Sequence, residues 1–321
     1  MLLCSRRTVV AAVLAAAFST PAFAQSYPAG KPIEMTVMFG AGSASDITAR
    51  QLAEGMAKVL SAPVPVVNRT GAGGAVGYLH VSQQKPDGYA IVWNSNSIST
   101  TFHSGQLPFD YKNFEPVARV SIENPALAVK ASSQFKTLKD LITYAKANPE
   151  KVRVGNSGAG SHTHIVAEAL FHSAGAKITS VPFGTGQGTV NLLGDRIEAA
   201  VQFPQAFLPH VKSGDLRVLA MLGTIPDPAF PDVKTAKAQG YKVGLDLWRG
   251  IAVPKGTPKA VIQKLQDAVK KTVESPEFIE AGKKIGFTPA YQGADAFGKM
   301  IAEDDARLAA VMKEIGLKKN N

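Results

Sequence analysis

The order of apolar and polar residues along the chain alternates between two patterns. Short β-rich apolar runs predict strands, and longer segments with apolar residues at helical spacing, such as Leu52, Met56 and Leu60, predict helices. In the first part of the chain the predicted strands are 33–39, 64–67 and 89–94, and the predicted helices are 47–60 and 75–84. This strand–helix–strand order predicts an α/β protein with a parallel, doubly wound sheet.

A second series of the same kind follows the first. Strands are predicted at 125–130, 152–154, 178–183, 197–202, 216–222 and 248–254, and helices at 138–148, 164–173, 258–274, 276–285 and 294–315. A chain of 321 residues is long enough for two lobes of ordinary domain size. We expect residues 126–249 to form the second lobe, and residues 25–125 together with 250–321 to form the first.

One four-residue sequence occurs twice. Gly40-Ala-Gly-Ser43 and Gly158-Ala-Gly-Ser161 each follow a predicted strand and precede a predicted helix. Glycine lets the backbone approach a ligand closely, and the first N–H groups of a helix are unsatisfied donors at the positive end of the helix dipole. If the lobes face each other, both loops meet in one cleft. The repeat therefore predicts a clamp for an anion between the lobes.

The N-terminus has the features of an export signal. Arg6 and Arg7 precede the apolar segment 9–18, and small residues flank the aromatic ring in Ala22-Phe-Ala24. This pattern predicts a signal peptide over residues 1–24, cleaved near Ala24, and a periplasmic mature protein. The apolar segment is shorter than the roughly 20 residues that span a bilayer.

Composition and charge narrow the function further. Hydrophobic residues make up 45% and charged residues 19% of the chain, which is typical of globular proteins. The single cysteine, Cys4, lies in the predicted signal peptide, so a disulfide framework and thiol catalysis are excluded for the mature protein. The formal net charge of +10 favours anionic partners, but the lysines are scattered and form no basic run, which argues against nucleic acid.

Enzymatic motifs are incomplete. Gly40, Gly42 and Ser45 follow a strand with the spacing of a dinucleotide fingerprint, but the third glycine is missing. The next strand ends at Asn68 instead of at an acid that could bind a ribose. The chain has no Gly-x-Ser-x-Gly elbow for a serine hydrolase. An exported α/β enzyme that uses the same cleft is therefore the alternative to a protein that only binds.

Several polar side chains admit two interpretations. Asp46, near the start of a helix, is explained as a cap and dipole partner. His162 and His164 either donate hydrogen bonds into the cleft or are solvated surface side chains. A metal site formed by these histidines with Glu168 has little support, because the sequence offers no second group of metal ligands nearby. Arg249 either carries a surface charge or binds a second ligand carboxylate through its bidentate fork. Phe39, Phe183 and Phe203 end strands, where side chains either meet a cleft or fill a core.

A series of short motifs runs through the chain in a fixed order. They are Tyr27-Pro28, Lys31-Pro-Ile33, Asp46-Ile-Thr-Ala-Arg50, Val67-Asn-Arg-Thr-Gly-Ala-Gly-Gly74, Pro86-Asp-Gly-Tyr89, Tyr144-Ala-Lys-Ala-Asn-Pro149, Gly155-Asn-Ser-Gly158, Val181-Pro-Phe183 and Trp248-Arg-Gly-Ile-Ala-Val-Pro254. Together they resemble the Bug-type extracytoplasmic solute receptors, the substrate-binding component of tripartite tricarboxylate transporters. The resemblance implies a two-lobed periplasmic-binding-protein fold with two crossover strands and a ligand cleft between the lobes. It also implies a receptor without enzymatic activity, with a small organic anion and the transporter's membrane subunits as partners.

The resemblance also implies where the ligand lies. A small carboxylate would be held by loops 39–46 and 157–164, with residues 183–185 and Gln202 on the second lobe. The family usually has proline and glycines where this chain has Ala41, Ser43 and Ala44, and a Pro-Tyr-Lys where it has Pro182-Phe-Gly184. These departures favour a ligand with an apolar or aromatic body and one or two carboxylates, such as terephthalate, over citrate.

The candidate ligand-binding residues come from both lobes, and we expect a monomer without cofactor or metal. They are Phe39, Ala41, Gly42, Ser43, Ala44, Ser45, Asp46, Asn94, Ser157, Gly158, Ser161, His162, Thr163, His164, Phe183, Gly184, Gln202, Phe203 and Arg249.

Overall fold

Two β-sheets organise the chain in a computed structural model that describes residues 27–184 and 187–319. The predicted signal peptide with its cleavage site near Ala24, and the candidate Thr185, lie outside the described residues. None of the helices in the described part is long and apolar enough to cross a membrane.

The described residues form the following strands and helices. The strands are β1 Glu34–Val37, β2 Val66–Asn68, β3 Ala90–Ser95, β4 Phe114–Glu123, β5 Ala126–Lys130, β6 Arg153–Asn156, β7 Thr179–Pro182, β8 Ala199–Gln202, β9 Leu216–Met221, β10 Leu247–Pro254 and β11 Thr288–Gly293. The helices are α1 Ala44–Leu60, α2 Ala75–Ser82, α3 Ser97–His103, α4 Leu138–Ala147, α5 His162–Ser173, α6 Gln187–Leu193, α7 Pro204–Lys212, α8 Lys259–Val273, α9 Pro276–Ile285 and α10 Ala294–Glu314. Short 3-10 turns lie at Ala72–Gly74 and Tyr111–Asn113.

The first sheet is mixed rather than wholly parallel. Its strand order is β11-β4-β10-β3-β1-β2. Strand β1 pairs in parallel with β2 and β3, as the sequence predicts, whereas β10 runs antiparallel to β3 and β4, and β11 runs antiparallel to β4. The prediction of a parallel sheet is therefore correct for the strand–helix–strand units and wrong for the strands that return from the second sheet.

Helices cover both faces of the first sheet, because successive side chains of a strand point to opposite faces. On one face Ile251 of β10 packs in a core with Leu52 of α1 and Leu265 of α8. On the other face Ala252 packs in a core with Tyr78 of α2. Every residue of β10 is buried, as expected for a strand between two neighbours and two helical layers.

The second sheet repeats this plan with five strands. Its order is β7-β6-β8-β5-β9. Strand β6 pairs in parallel with β7 and β8, and β5 pairs antiparallel with β8 and β9. In both sheets the parallel strands therefore end at one edge, from which their following loops and helices start.

The C-terminal helix α10 connects the two lobes. The chain itself crosses at Asn124–Pro125, between β4 and β5, and returns before β10. In α10, Phe297 and Ile301 pack into a core of the first lobe, whereas Leu308 and Met312 pack into the core of the second. The expected first-lobe segment 250–321 thus includes a helix whose end packs into the core of the second lobe.

Candidate functional site

A cleft lies where the parallel strands of both sheets end. It has about 600 Å³ of empty space, with the part open to solvent included. Phe39, Ser95, Ser157 and Phe203 line it at or just beyond the carboxyl ends of β1, β3, β6 and β8, which is where ligands bind in open α/β sheets. Its lining consists of Phe39, Gly42, Ser43, Ala44, Ser45, Ile47, Ser95, Ser97, Ser157, Ser161, His162, Thr163, Gln202, Phe203, Gln205, Ala206, Leu247 and Arg249.

The two Gly-Ala-Gly-Ser loops have the same backbone conformation at their second glycine and their serine. Gly42 has φ 78° and Gly160 has φ 76°, in the left-handed region that glycine adopts without strain. The serines that follow have φ, ψ of −71°, 161° at Ser43 and −70°, 160° at Ser161. The sequence repeat is thus also a repeat in three dimensions, with one copy in each lobe.

Each serine caps the helix that follows its loop. The N–H of Asp46 donates to Ser43 Oγ at 3.0 Å, and the N–H of His164 donates to Ser161 Oγ at 3.3 Å. These bonds satisfy the third amide of α1 and of α5 and fix the direction in which each helix leaves its strand. Because Ser43 Oγ accepts from the backbone, its own hydrogen is available to a ligand, whereas Ser161 Oγ lies 3.1 Å from Thr163 Oγ1 and these two hydroxyls share a hydrogen bond.

The first two amides of both helices have no hydrogen-bond partner among the described residues. These are the N–H groups of Ala44 and Ser45 on α1, and of His162 and Thr163 on α5, and all four residues line the cleft. Helix α7 also starts at the cleft. Unsatisfied helix N–H groups and the positive ends of the helix dipoles together form an anion site.

Asp46 holds the first loop and is not part of the cleft lining. Its Oδ2 accepts the N–H of Gly42 at 2.9 Å, and its carboxylate also accepts from Arg50 Nε at 3.0 Å and Asn68 Nδ2 at 2.8 Å. Burial raises the pKa of Asp46, but hydrogen bonds from Arg50, Gly42 and Asn68 outweigh it and lower the pKa below its ordinary value. The carboxylate stays ionised and holds the glycine in its left-handed turn.

His164 has the corresponding role in the second loop. Its Nδ1 accepts the N–H of Gly160 at 3.0 Å, so this nitrogen carries no proton, and burial lowers the pKa of the ring. His164 is not among the residues that line the cleft, and because its Nδ1 accepts a backbone bond, only Nε2 remains as a donor. Its Nε2 lies 3.9 Å from Glu168, and no group of three potential metal ligands occurs in residues 27–184 and 187–319.

His162 is buried in the wall of the cleft with one nitrogen unused. Its Nε2 lies 3.0 Å from the carbonyl oxygen of Leu245, and since a carbonyl only accepts, Nε2 carries the proton. Burial lowers the pKa of His162 to about 4, so the ring is neutral at pH 7. Nδ1 is buried and has no hydrogen-bond partner in the described chain.

Arg249 lines the cleft, and one side of its guanidinium is already paired. Nε donates to Glu123 Oε1 at 2.6 Å and Nη2 donates to Oε2 at 3.0 Å, and both side chains are buried. The guanidinium also stacks 5.2 Å from the ring centre of Phe203. Antiparallel β4 and β10 place Glu123 against the Nε–Nη2 side of the guanidinium, so a contact to a second ligand carboxylate stays a prediction that only the Nη1 side can meet.

The structure brings most of the predicted residues together. Those that line the cleft are Phe39, Gly42, Ser43, Ala44, Ser45, Ser157, Ser161, His162, Thr163, Gln202, Phe203 and Arg249. The others lie elsewhere: Ala41 is exposed next to the lining, and Asn94 accepts from Tyr78 Oη at 2.9 Å in the first lobe. Gly158, Phe183 and Gly184 line an adjoining groove that residues 70–74 form with the second lobe.

Six residues of the cleft lining were not predicted, although four of them lie directly after predicted strands. Ser95 and Ser97 follow the predicted strand 89–94, and Gln205 and Ala206 follow the predicted strand 197–202, so the rule that ligands meet strand ends applied to them. Ile47 and Leu247 are apolar and carry no sequence signal that separates cleft from core.

The buried pair of Glu123 and Arg249 gives the first prediction. Glu123→Gln leaves the guanidinium without a counter-charge in a buried site, so we expect the free energy of unfolding to fall by about 3–5 kcal/mol. Urea unfolding measures this, and the double variant Glu123→Gln with Arg249→Met should lose less than the two single changes added together. Glu54→Gln, in an exposed pair with Lys58, is the control. Equal losses of stability in Glu123→Gln and Glu54→Gln would contradict the assignment of Glu123 and Arg249 as a buried ion pair.

The unprotonated state of His162 gives a second prediction. Its pKa is about 4 in the folded protein and 6.5 in a free side chain, so the unfolded chain binds the extra proton between these values. Stability is therefore complete above pH 6.5 and falls as the pH drops towards 4, by about 1.4 kcal/mol per pH unit. Urea unfolding at pH 7, 6 and 5 should show a slope that is smaller in His162→Gln by the equivalent of about one proton. If the pH dependence of the unfolding free energy is the same in His162→Gln as in the wild type, the neutral state of His162 is refuted.

Comparison with known proteins agrees with the fold. A family model described as "Tripartite tricarboxylate transporter family receptor" matches residues 48–317. Protein BugT of Bordetella pertussis is 32% identical over 312 residues, covering 95% of each chain. The structure of periplasmic binding protein BugD has a TM-score of 0.85 at 28% identity and covers 90% of this chain and 99% of that one.

A more distant structure, R. palustris Rpa4515 with adipate, has the same fold, with a TM-score of 0.85 at 23% identity over 90% of this chain and 98% of that one. The predicted resemblance and the predicted two-lobed α/β fold are confirmed. The chain belongs to the tripartite tricarboxylate transporter receptor family, whose members are solute-binding proteins of the Bug type and not enzymes.

Proposed function

We propose that this protein is a periplasmic receptor that captures a small organic carboxylate between its lobes and delivers it to the membrane subunits of a tripartite transporter. The observation that carries the proposal is the pair of unsatisfied helix starts, Ala44–Ser45 on one lobe and His162–Thr163 on the other, at one cleft. The predicted signal peptide and the periplasmic relatives support the location.

The cleft combines this anion site with apolar walls. Phe39, Ile47, Phe203 and Leu247 lie among its lining residues. Micromolar binding needs about 8 kcal/mol, which is within reach of several charge-assisted hydrogen bonds worth about 1.5–3 kcal/mol each together with apolar burial. A carboxylate on an apolar or aromatic body fits this combination, and the R. palustris structure of the same fold contains adipate, a carboxylate on an apolar chain.

Contacts between the lobes support capture by closure. Gln106 Nε2 of the first lobe donates to the carbonyl of Ala159 at 2.9 Å. A Cβ added to Gly73 would lie 2.7 Å from the same carbonyl oxygen, so the two loops meet backbone to backbone. A ligand that touches both lobes favours this closed arrangement over an open one, which is how binding is converted into a signal for the membrane subunits.

The proposal is tested with a panel of acids. Isothermal titration with adipate, malate, citrate, benzoate and terephthalate should show micromolar binding of at least one acid and none of the neutral amides adipamide and benzamide. Mass spectrometry after incubation should recover the bound acid unchanged. Turnover of the acid would favour the enzyme alternative. Absence of binding by every acid would overturn the proposed receptor function.

A single substitution tests the helix starts directly. Ala44→Pro removes one of the free amides, and proline is favoured at the first helical position, where the preceding Ser43 already has the required extended conformation. We expect a thermal midpoint close to that of the wild type and an affinity for the bound acid lower by roughly tenfold, the loss of one charge-assisted hydrogen bond.

Lys259→Pro is the matched control for this change. Lys259 is the exposed first residue of α8 and lies away from the cleft lining. We expect this variant to bind the acid as the wild type does. Unchanged affinity in Ala44→Pro would place the carboxylate elsewhere.

A further inference from the structure

Several buried polar atoms around the cleft have no use within the protein. Nδ1 of His162, Oγ of Ser45, and both Oε1 and Nε2 of Gln205 are buried and lack a hydrogen-bond partner in the part of the chain that the structure describes. All three residues line the cleft. Buried polar atoms in folded proteins are nearly always hydrogen-bonded, so a cluster of unpaired ones points to a missing partner. In a binding cleft such atoms are available to a ligand.

The type of these atoms restricts what the ligand presents to them. The Nε2 proton of His162 is committed to Leu245, so Nδ1 can only accept. A carboxylate carries no donor and would set its own lone pairs against that of Nδ1. Gln205 and Ser45 can each both donate and accept, as a hydroxyl or a carboxamide requires.

The charges around the cleft restrict the ligand further. Arg249 and His162 are the only titratable side chains among the lining residues that the structure describes, and Arg249 is neutralised by Glu123. One ligand carboxylate is served by the helix starts. A second one beside His162 would face the lone pair of Nδ1 and have no free cation near it, which is costly. An ammonium group would equally lack a partner, because the nearby carboxylates of Glu123 and Asp46 are paired with arginines.

We propose that the ligand is a monocarboxylate whose apolar body carries a neutral hydrogen-bond donor, a hydroxyl or a primary carboxamide, which donates to Nδ1 of His162 and bonds to the amide of Gln205. This inference rests on the proposed receptor function and narrows its ligand class. It excludes dicarboxylates such as terephthalate and adipate as the preferred ligand of this chain.

Two matched series of probes test the ligand class by isothermal titration at pH 7.5. The aromatic series is benzoate, 4-hydroxybenzoate, 4-carbamoylbenzoate and terephthalate, and the aliphatic series is hexanoate, 6-hydroxyhexanoate, 6-amino-6-oxohexanoate and adipate. In at least one series the hydroxyl or carboxamide member should bind tighter than both the unsubstituted acid and the dicarboxylate, by roughly tenfold or more.

The outcomes separate this inference from the receptor function. If the dicarboxylate or the unsubstituted acid binds as well as or better than the substituted acids in both series, the inference is wrong and the receptor function stands. If none of the eight acids binds, both are overturned.

Variants test the two residues without loss of the fold. Gln205→Leu breaks no hydrogen bond within the described chain, so it should fold normally. It should weaken binding of the preferred hydroxyl or carboxamide probe about fivefold or more and leave the unsubstituted acid unchanged. His162→Phe should abolish the preference between these two probes. Gln51→Leu, half-buried on α1 away from the cleft lining, is the control and should bind all probes as the wild type does. Equal weakening of every probe by Gln205→Leu would overturn the role of the amide.

Discussion

The unsatisfied amides at the starts of α1 and α5 determine what the cleft can do. Ser43 and Ser161 satisfy one donor of each helix, but the donors of the first two residues are left to water or to a ligand. Closing the lobes without an anion would remove that water and bring two positive helix ends towards each other. An anion between them replaces the lost water as hydrogen-bond acceptor and is attracted by both helix ends. The same unpaired amides therefore make an empty closed cleft unfavourable and a closed cleft with a bound anion favourable.

The ion pair of Glu123 and Arg249 gives this arrangement its charge balance. It joins the crossing strands β4 and β10, so it lies where the two lobes meet. By neutralising the cation in the wall, Glu123 leaves backbone dipoles as the attraction for an anion. Such dipoles suit a single negative charge, whereas an unpaired arginine would also attract a second. The same pair orients the guanidinium against the ring of Phe203, which forms part of the apolar wall.

Sequence patterns predicted the parts of the fold that depend on interactions between residues close in the chain. Most strands, the longer helices and the paired loops follow from periodicity and from the repeat at Ser43 and Ser161, whereas β11 and the short helices α3, α6 and α7 were not predicted. Strand β4 was missed because Pro116 and Arg119 interrupt its alternation, and antiparallel pairing with β10 and β11 stabilises it instead. The partner of Arg249 is 126 residues away and depends on strand register, so no motif could show it. The different roles of His162 and His164 likewise depend on what each nitrogen meets after folding.

The C-terminal helix limits how the lobes can move. Because α10 is anchored by Ile301 in one core and by Leu308 in the other, a hinge rotation cannot leave it unchanged. Opening must bend the helix over the two turns between these residues or pull one anchor out of its core. Either deformation grows with the angle, so the helix acts as a spring whose restoring force favours small excursions. In the proposed receptor, release of the solute would then require only a narrow gap, and the membrane subunits would meet a few closely related shapes.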